Sequence, residues 1–332
     1  MHPTLAVVGP WEPYDLPALM GFFVAIVWLW TWLEDRATGR PRRPWLIYFG
    51  EILLEAAVPT ALTYAMVNRL GPLEIRSYGA MMLLGFIAGV TWVYLDRGRY
   101  GFSGRAALQV PLVGFAGGIV GGRIGFVLLQ WRDYASHPEA MVNLWQGGMS
   151  WHGGLAGALI AMWITCLVMR ISLARMMDLV SAPLALGYAI ARVGCFLNGC
   201  CYGTPCTYAW AVTFPRYGLN PPPAVPVHPT QLYSILGNLA FVIPVVLLLT
   251  RFTRQPFSRF MLYVVLSSMV RFVVEYYRRG ASAEIFGLLP VFTKAQAASL
   301  ALIAVCGVAI IWREVAGRRR EPAADDPRSG CS

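Results

Sequence analysis

Lysine occurs once in this 332-residue chain, at Lys294, and charged residues of every kind make up only 13% of it. A soluble domain carries about 25%. What fills the space is apolar: 57% of residues are hydrophobic and the mean hydropathy is +0.55. Apolar runs recur at about 17 residues or more, the length that crosses a hydrocarbon core. A soluble globular fold is therefore excluded, and an all-α, polytopic membrane helix bundle is expected. The net charge of +10 does not form a basic stripe on a polar domain, which argues against a nucleic-acid partner. Near-exclusive use of arginine as the cation carries no mechanism by itself. No positive charge precedes the first apolar run, so a cleaved signal peptide is not expected, and that run should stay as a span.

Nine candidate spans follow, near 17–33, 46–67, 78–95, 106–130, 153–169, 177–197, 231–250, 259–277 and 293–312. Loops that fall on one side hold 17 arginines and those on the other hold 6. This bias predicts an N-terminus outside and a C-terminus in the cytoplasm. Aromatic rings beside arginines in "WLWTWL" and "YLDRGRY" fit an interfacial belt on the cytoplasmic side. In "GFAGGIVGGRIG", Gly114, Gly118 and Gly122 recur every four residues, with Gly117, Gly121 and Gly125 beside them. Small residues at that spacing let helix backbones approach closely. Two long loops on the outward side, 131–152 and 198–230, are rich in Pro, Gly, Trp and Tyr, and mark the side on which the chain works. Residues 9–30 echo 71–94, from a GP-x-E start through a GF to a tryptophan-bearing apolar run. The domain expectation is an extra transmembrane hairpin over 1–70, a seven-span core over 71–312, and a disordered cytoplasmic tail over 313–332.

Charges in or beside hydrocarbon are costly and tend to face a cavity or a partner. Arg271 and Glu275 in "VRFVVEYY" are four apart and share a helical face, so they can pair. A structural ion pair and a functional one are equally compatible with that spacing. Arg123 and Arg192 have no acidic neighbour at helical spacing. One such arginine snorkels easily; several converging from different helices make an anion site, because guanidinium binds phosphate bidentately. His152 is bracketed by glycine pairs in "GGMSWHGGL", and a histidine at the mouth of a membrane cavity is a candidate general base. His228 opens "HPTQLY", where Pro229 suits a first helical turn, so a helix-start role is the stronger reading there. Glu51 and Glu55 share a face and stay unassigned.

Four cysteines, Cys195, Cys200, Cys201 and Cys206, follow Arg192 in "ARVGCFLNGCCYGTPC". There is no C-x-x-C pair among them, so the usual zinc pattern is absent and no metal is expected. A disulfide of Cys200 or Cys201 with Cys206 would pin the loop on an oxidising side. Cysteine also packs as a small hydrophobe, and that reading is favoured.

These elements together resemble the prolipoprotein diacylglyceryl transferase family of bacterial inner membranes. The resemblance runs from about Leu70 to Trp312 and rests on "GPLEIRSYG", "GGRIGFVLL", "WQGGMSWHGGLAGALIA", "ARVGCFLNGCCYG", "HPTQLY" and "VRFVVEYYR", all in order. It implies a seven-helix core holding phosphatidylglycerol in a cavity open to the bilayer. It also implies transfer of the diacylglyceryl group to the lipobox cysteine of a secreted prolipoprotein, with a thioether formed and glycerol phosphate released. Partners would be phosphatidylglycerol, lipobox signal peptides and membrane lipids, with no cofactor. By the resemblance, Arg192 matches the signature arginine at the headgroup, His152 the histidine assisting proton removal, and Tyr78 a catalytic tyrosine. Arg271 and Glu275 match a further catalytic arginine and glutamate, and Gly203 a signature glycine. Arg123 and His228 complete the expected substrate-binding set.

Three positions depart from the family pattern: Cys195 and Cys200 stand where better-known members read asparagine and glutamate, and Ser267 where they read tyrosine. The residues leave other readings open: a paralogue acting on another acceptor, a lipid-binding scaffold, or a membrane thiol protein built on the cysteines. A transporter fits less well, because the echo involves one helix in one orientation instead of paired halves.

Overall fold

The computed structural model describes residues 4–8, 20, 24, 28, 57, 60, 61, 73–135, 138–142, 148–215, 224–253, 255–278 and 293–320. The expected spans 17–33 and 46–67, with Glu51 and Glu55, lie outside the described residues apart from isolated positions. The chain divides into two compact units, residues 2–80 and the remainder from Met81 onward.

Within the first unit, β1 (Thr4–Val8) pairs antiparallel with β2 (Leu73–Arg76), a two-stranded ribbon that the hydropathy pattern did not announce. Ser77 and Tyr78 then open a helix, α1 (Ser77–Asp96), whose larger part belongs to the second unit.

The second unit is built from helices. After α1 come α2 (Gly104–Leu129), α3 (Trp151–Val168), α4 (Leu173–Leu197), α5 (Thr230–Leu248), α6 (Ser258–Tyr276) and α7 (Lys294–Arg320). Six of these seven are long and apolar enough to cross a membrane. The exception, α6, carries Arg259, Arg271 and Glu275 in its 19 residues. Leu83, Leu128, Val168, Leu248, Val305 and Ile311 are large, apolar and exposed on these helices. In water such a surface would aggregate; in lipid it is the solvent-facing side. The fold is that of an all-α, multi-pass membrane protein; its helices lie within a few residues of the expected core spans, except that α7 runs eight residues past its expected end.

Local chemistry explains the ends. Ser103, Ser150 and Ser172 cap α2, α3 and α4 by accepting from the backbone N–H of Ala106, Gly153 and Arg175. The start of α6 is capped from a distance. Asp178, buried in α4, accepts from Phe257 N at 2.7 Å and Phe260 N at 2.9 Å. This locks α4 to α6 and satisfies two orphan helix donors inside the bundle. Inside α5, residues Gly237–Val242 widen into a π-turn just before Pro244, whose missing N–H breaks the regular ladder.

The glycines act where helices cross. A Cβ on Gly117 would lie 2.7 Å from the carbonyl oxygen of Gly157, and one on Gly125 would lie 2.9 Å from Gly153 Cα. Thus α2 and α3 meet backbone to backbone along the glycine stripe. A second close crossing joins α1 to α4, where a Cβ on Gly85 would sit 2.7 Å from Gly187 O. One core cluster surrounds Val110, Met176 and Leu179; another surrounds Ala185, Val242 and Val246.

The tail expectation needs a correction. α7 continues to Arg320, eight residues into the stretch expected to be disordered from 313. Two contacts hold this extension: Arg313 donates to Pro256 O at 2.9 Å, and Glu314 accepts from Gln255 N at 3.1 Å. Residues 321–332 lie outside the described residues.

Candidate active site

Three segments meet where α4 ends, α5 begins and α6 ends. Leaving α4, the chain turns through Gly199 and Cys201, both with positive φ (66° and 63°). The carbonyls this turn frees are taken by the start of α5: Gln231 donates to Cys200 O at 2.6 Å and Thr230 to Cys201 O at 2.7 Å. Gly203 N then donates to His228 O at 2.8 Å, and Thr204 N to Tyr277 O at 2.9 Å. Gly203 sits at the tightest point. A Cβ there would lie 2.6 Å from Tyr277 O and 2.8 Å from both His228 Cβ and Thr230 Cγ2.

Arginines gather at this junction. Arg192, in the last turns of α4, donates from Nε to Tyr188 Oη at 2.8 Å, and its guanidinium carbon lies 4.8 Å from the centre of that ring. Arg271 Nη2 meets Glu275 Oε2 at 2.8 Å, with Glu275 fully buried. The charges acting on Arg271 come from Glu275, Arg278 and Arg192. Two donors here, Arg271 Nη1 and Arg278 Nε, are buried and have no hydrogen-bond partner among the described residues. A buried unpaired donor is costly, and cationic donors from two helices and a helix end make an anion site.

Beside them lies an apolar cavity of about 670 Å³, walled by Tyr208, Trp210, His228, Tyr233, Phe241, Val270, Val273 and Tyr277. His228 is buried in this wall. Its Nδ1 is 3.0 Å from Tyr233 Oη, and its ring lies 5.0 Å from that of Tyr277 and 5.6 Å from that of Tyr208. Thr230 begins α5, with Pro229 as its cap residue; His228 precedes the helix, its carbonyl accepting from Thr230 N at 2.9 Å while its ring lines the cavity.

The remaining expected residues sit elsewhere. Arg123, 6% exposed, spends its guanidinium on loop carbonyls: Met141 O at 2.8 Å, Ala140 O at 2.6 Å and Gly148 O at 3.1 Å. It shapes the approach to α3, a role not anticipated for it. His152 is exposed in the first turn of α3, edge-on to Trp151 at 5.2 Å. Tyr78, 42% exposed, belongs to the first unit. Sequence reasoning passed over Arg278 and Asp178. Arg278 looked like an ordinary interfacial arginine, and only the adjacent Arg271 and Glu275 could have drawn attention to it.

Residues 65–312 match the sequence profile described as prolipoprotein diacylglyceryl transferase. The chain belongs to this family. It is 35% identical over 222 residues to the phosphatidylglycerol--prolipoprotein diacylglyceryl transferase of Mannheimia succiniciproducens, covering 64% of this chain and 79% of the relative. The enzymes of the same name from Cupriavidus metallidurans and Coxiella burnetii are each 33% identical. Those alignments cover 73% and 74% of this chain and 90% and 93% of the relatives. The matched region contains every site residue named above.

One feature of the site carries chemistry of its own. The sulfurs of Cys195, Cys200 and Cys201 lie within 4.8 Å of one another. The cluster touches the arginines, with Arg192 Nη1 4.0 Å from Cys195 Sγ. The thiol of Cys201, in the loop, is pulled below the ordinary thiol range. Hydrogen bonds from Cys195 and Cys200 favour its thiolate, and the charges of Arg192 and Arg278 add to that. The described cysteines are all free, so the disulfide with Cys206 is not formed.

Proposed function

We propose that this protein transfers the diacylglyceryl group of phosphatidylglycerol to the lipobox cysteine thiol of secreted prolipoproteins. The observation that carries this reading is the convergence of Arg192, Arg271 and Arg278, two of which keep a buried N–H without a partner among the described residues. Those donors suit a phosphodiester headgroup. The apolar, aromatic cavity beside them suits the lipid's chains.

In the reaction, the acceptor sulfur forms a bond to the terminal glyceryl carbon of the lipid, and the bond from that carbon to the phosphate oxygen breaks. The electron pair leaves with glycerol phosphate, and the thiol proton goes to a base. Charge grows on the leaving phosphate oxygen, and fixed guanidiniums in a low-dielectric site stabilise it without reorganising. Arg271 is held for this by Glu275, and Arg192 by Tyr188. His152 is assigned the base role and Tyr78 a catalytic role by resemblance to the family. Gly203 keeps the junction closed, His228 lines the cavity, and Arg123 orders the loop before α3. The protein is assigned to the bacterial inner membrane, N-terminus outside and C-terminus cytoplasmic. A hairpin over 1–70 is proposed to precede the transferase core of 71–312.

Purified protein supplied with phosphatidylglycerol and a lipobox peptide should release glycerol phosphate and add one diacylglyceryl mass to the peptide. Transfer should disappear in Arg192→Ala and His152→Ala. A folded, lipid-loaded wild type that leaves the peptide unmodified would overturn the reading.

A further inference from the structure

We propose that Cys195, Cys200 and Cys201 form a three-thiolate site for a single cation of the zinc class, beside the arginine cluster. Three sulfurs within 4.8 Å of one another are already close to a coordination shell. Zinc–thiolate bonds are about 2.3 Å long, which sets ligand sulfurs about 4 Å apart. Closing the trio needs side-chain adjustments of less than about 1 Å.

The backbone holds the thiols in place for this. Cys195 is carried by the last turns of α4 and is buried. Cys200 and Cys201 come from the turn whose carbonyls are pinned by Gln231 and Thr230. The three thiols thus sit on segments fixed independently of any ion, which lowers the ordering cost of binding. Charge also balances. Three thiolates around a divalent cation leave one net negative charge, and Arg192 lies 4.0 Å from Cys195 Sγ to offset it. Three protein ligands leave a fourth position for water or a substrate atom, the pattern of an open zinc site. The local sequence C-x4-C-C hid this, because it lacks the C-x-x-C spacing and depends on the turn to fold Cys200 and Cys201 back onto α4.

The test does not depend on transferase activity. Full-length protein in detergent is stripped with chelator, reduced, and titrated with Co²⁺ as the spectroscopic probe. A thiolate-to-metal charge-transfer band should appear, saturate at one equivalent, and be displaced by Zn²⁺. Cys195→Ser, Cys200→Ser and Cys201→Ser should each weaken binding by more than about tenfold, while Cys206→Ser and Cys306→Ser leave it unchanged. Each variant is checked for a monodisperse elution peak and for bound phosphatidylglycerol, so that misfolding is separated from ligand loss. The proposal is overturned if the folded, reduced wild type gives no band, or if the triple serine variant binds equally well. It is equally overturned if thiol-blocked protein isolated without reductant carries a disulfide within the trio.

Discussion

Glu275 is fully buried and faces Arg271 at 2.8 Å. Deleting one partner of a buried pair strands the other charge, at a cost of about 3–5 kcal/mol. Glu275→Ala should therefore lower the melting temperature in detergent, and Glu275→Ala with Arg271→Ala should lose less than the sum of the single changes. Additive losses would mean that the pair does not couple. Gly203→Ala probes the neighbouring contact. Its methyl would press on Tyr277 O and His228, costing about 1–3 kcal/mol, so reduced stability together with reduced transfer is expected. Cys201 offers a test by pH. An ordinary thiol gains alkylation rate only as pH rises toward about 8.5. Cys201, whose thiolate is favoured by its thiol donors and by Arg192 and Arg278, should alkylate in metal-free protein at lower pH than an ordinary thiol. A labelling curve with the ordinary midpoint would refute that. The ion pair was readable from its i, i+4 spacing, and Arg192 from being a lone charge in an apolar run. Asp178 was not, since its partners are backbone donors about 80 residues away.

At the scale of elements, apolar run lengths foretold an all-α membrane bundle, six of whose described helices are long and apolar enough to cross, because hydrocarbon thickness leaves the chain little choice. Details that depend on contacts were hidden. The π-turn in α5 arises where Pro244 removes a donor and where Gly237 packs within reach of Val270. The extension of α7 rests on Arg313 and Glu314 finding partners in the loop before α6. The glycine stripe was readable as a helix-packing surface, but its partner was not. That partner is the second stripe, Gly153, Gly154 and Gly157, which flanks and follows His152. Its assignment to packing makes a paired prediction. Gly121→Ala would place a methyl 2.7 Å from Gly157 Cα and should reduce the yield of folded protein. Gly307→Ala meets nothing within 4 Å in α7, and should be neutral or raise stability by up to about 1 kcal/mol. Equal losses from both would show that α2 and α3 do not meet along this stripe.

For the whole molecule, consecutive spans alternate in direction, so the end of α4, the start of α5 and the end of α6 fall on one face of the membrane. That face carries the turn at Cys201, the arginine cluster and the mouth of the aromatic cavity. In the proposed topology the loops richer in arginine, 17 residues against 6, belong to the opposite face. On the proposed topology, with arginine retained in the cytoplasm, the site would face outward, where the proposed acceptor cysteine would arrive after translocation. The charge count and the chemistry meet in a single topological claim. Alkaline phosphatase fused after Arg320 should be inactive, and a green fluorescent protein fused there should fluoresce. Phosphatase inserted within 216–223 should be active. The reverse pattern would put the arginine cluster in the cytoplasm, out of reach of translocated acceptors. It would remove the proposed transfer reaction while leaving the helix bundle and the thiol site untouched.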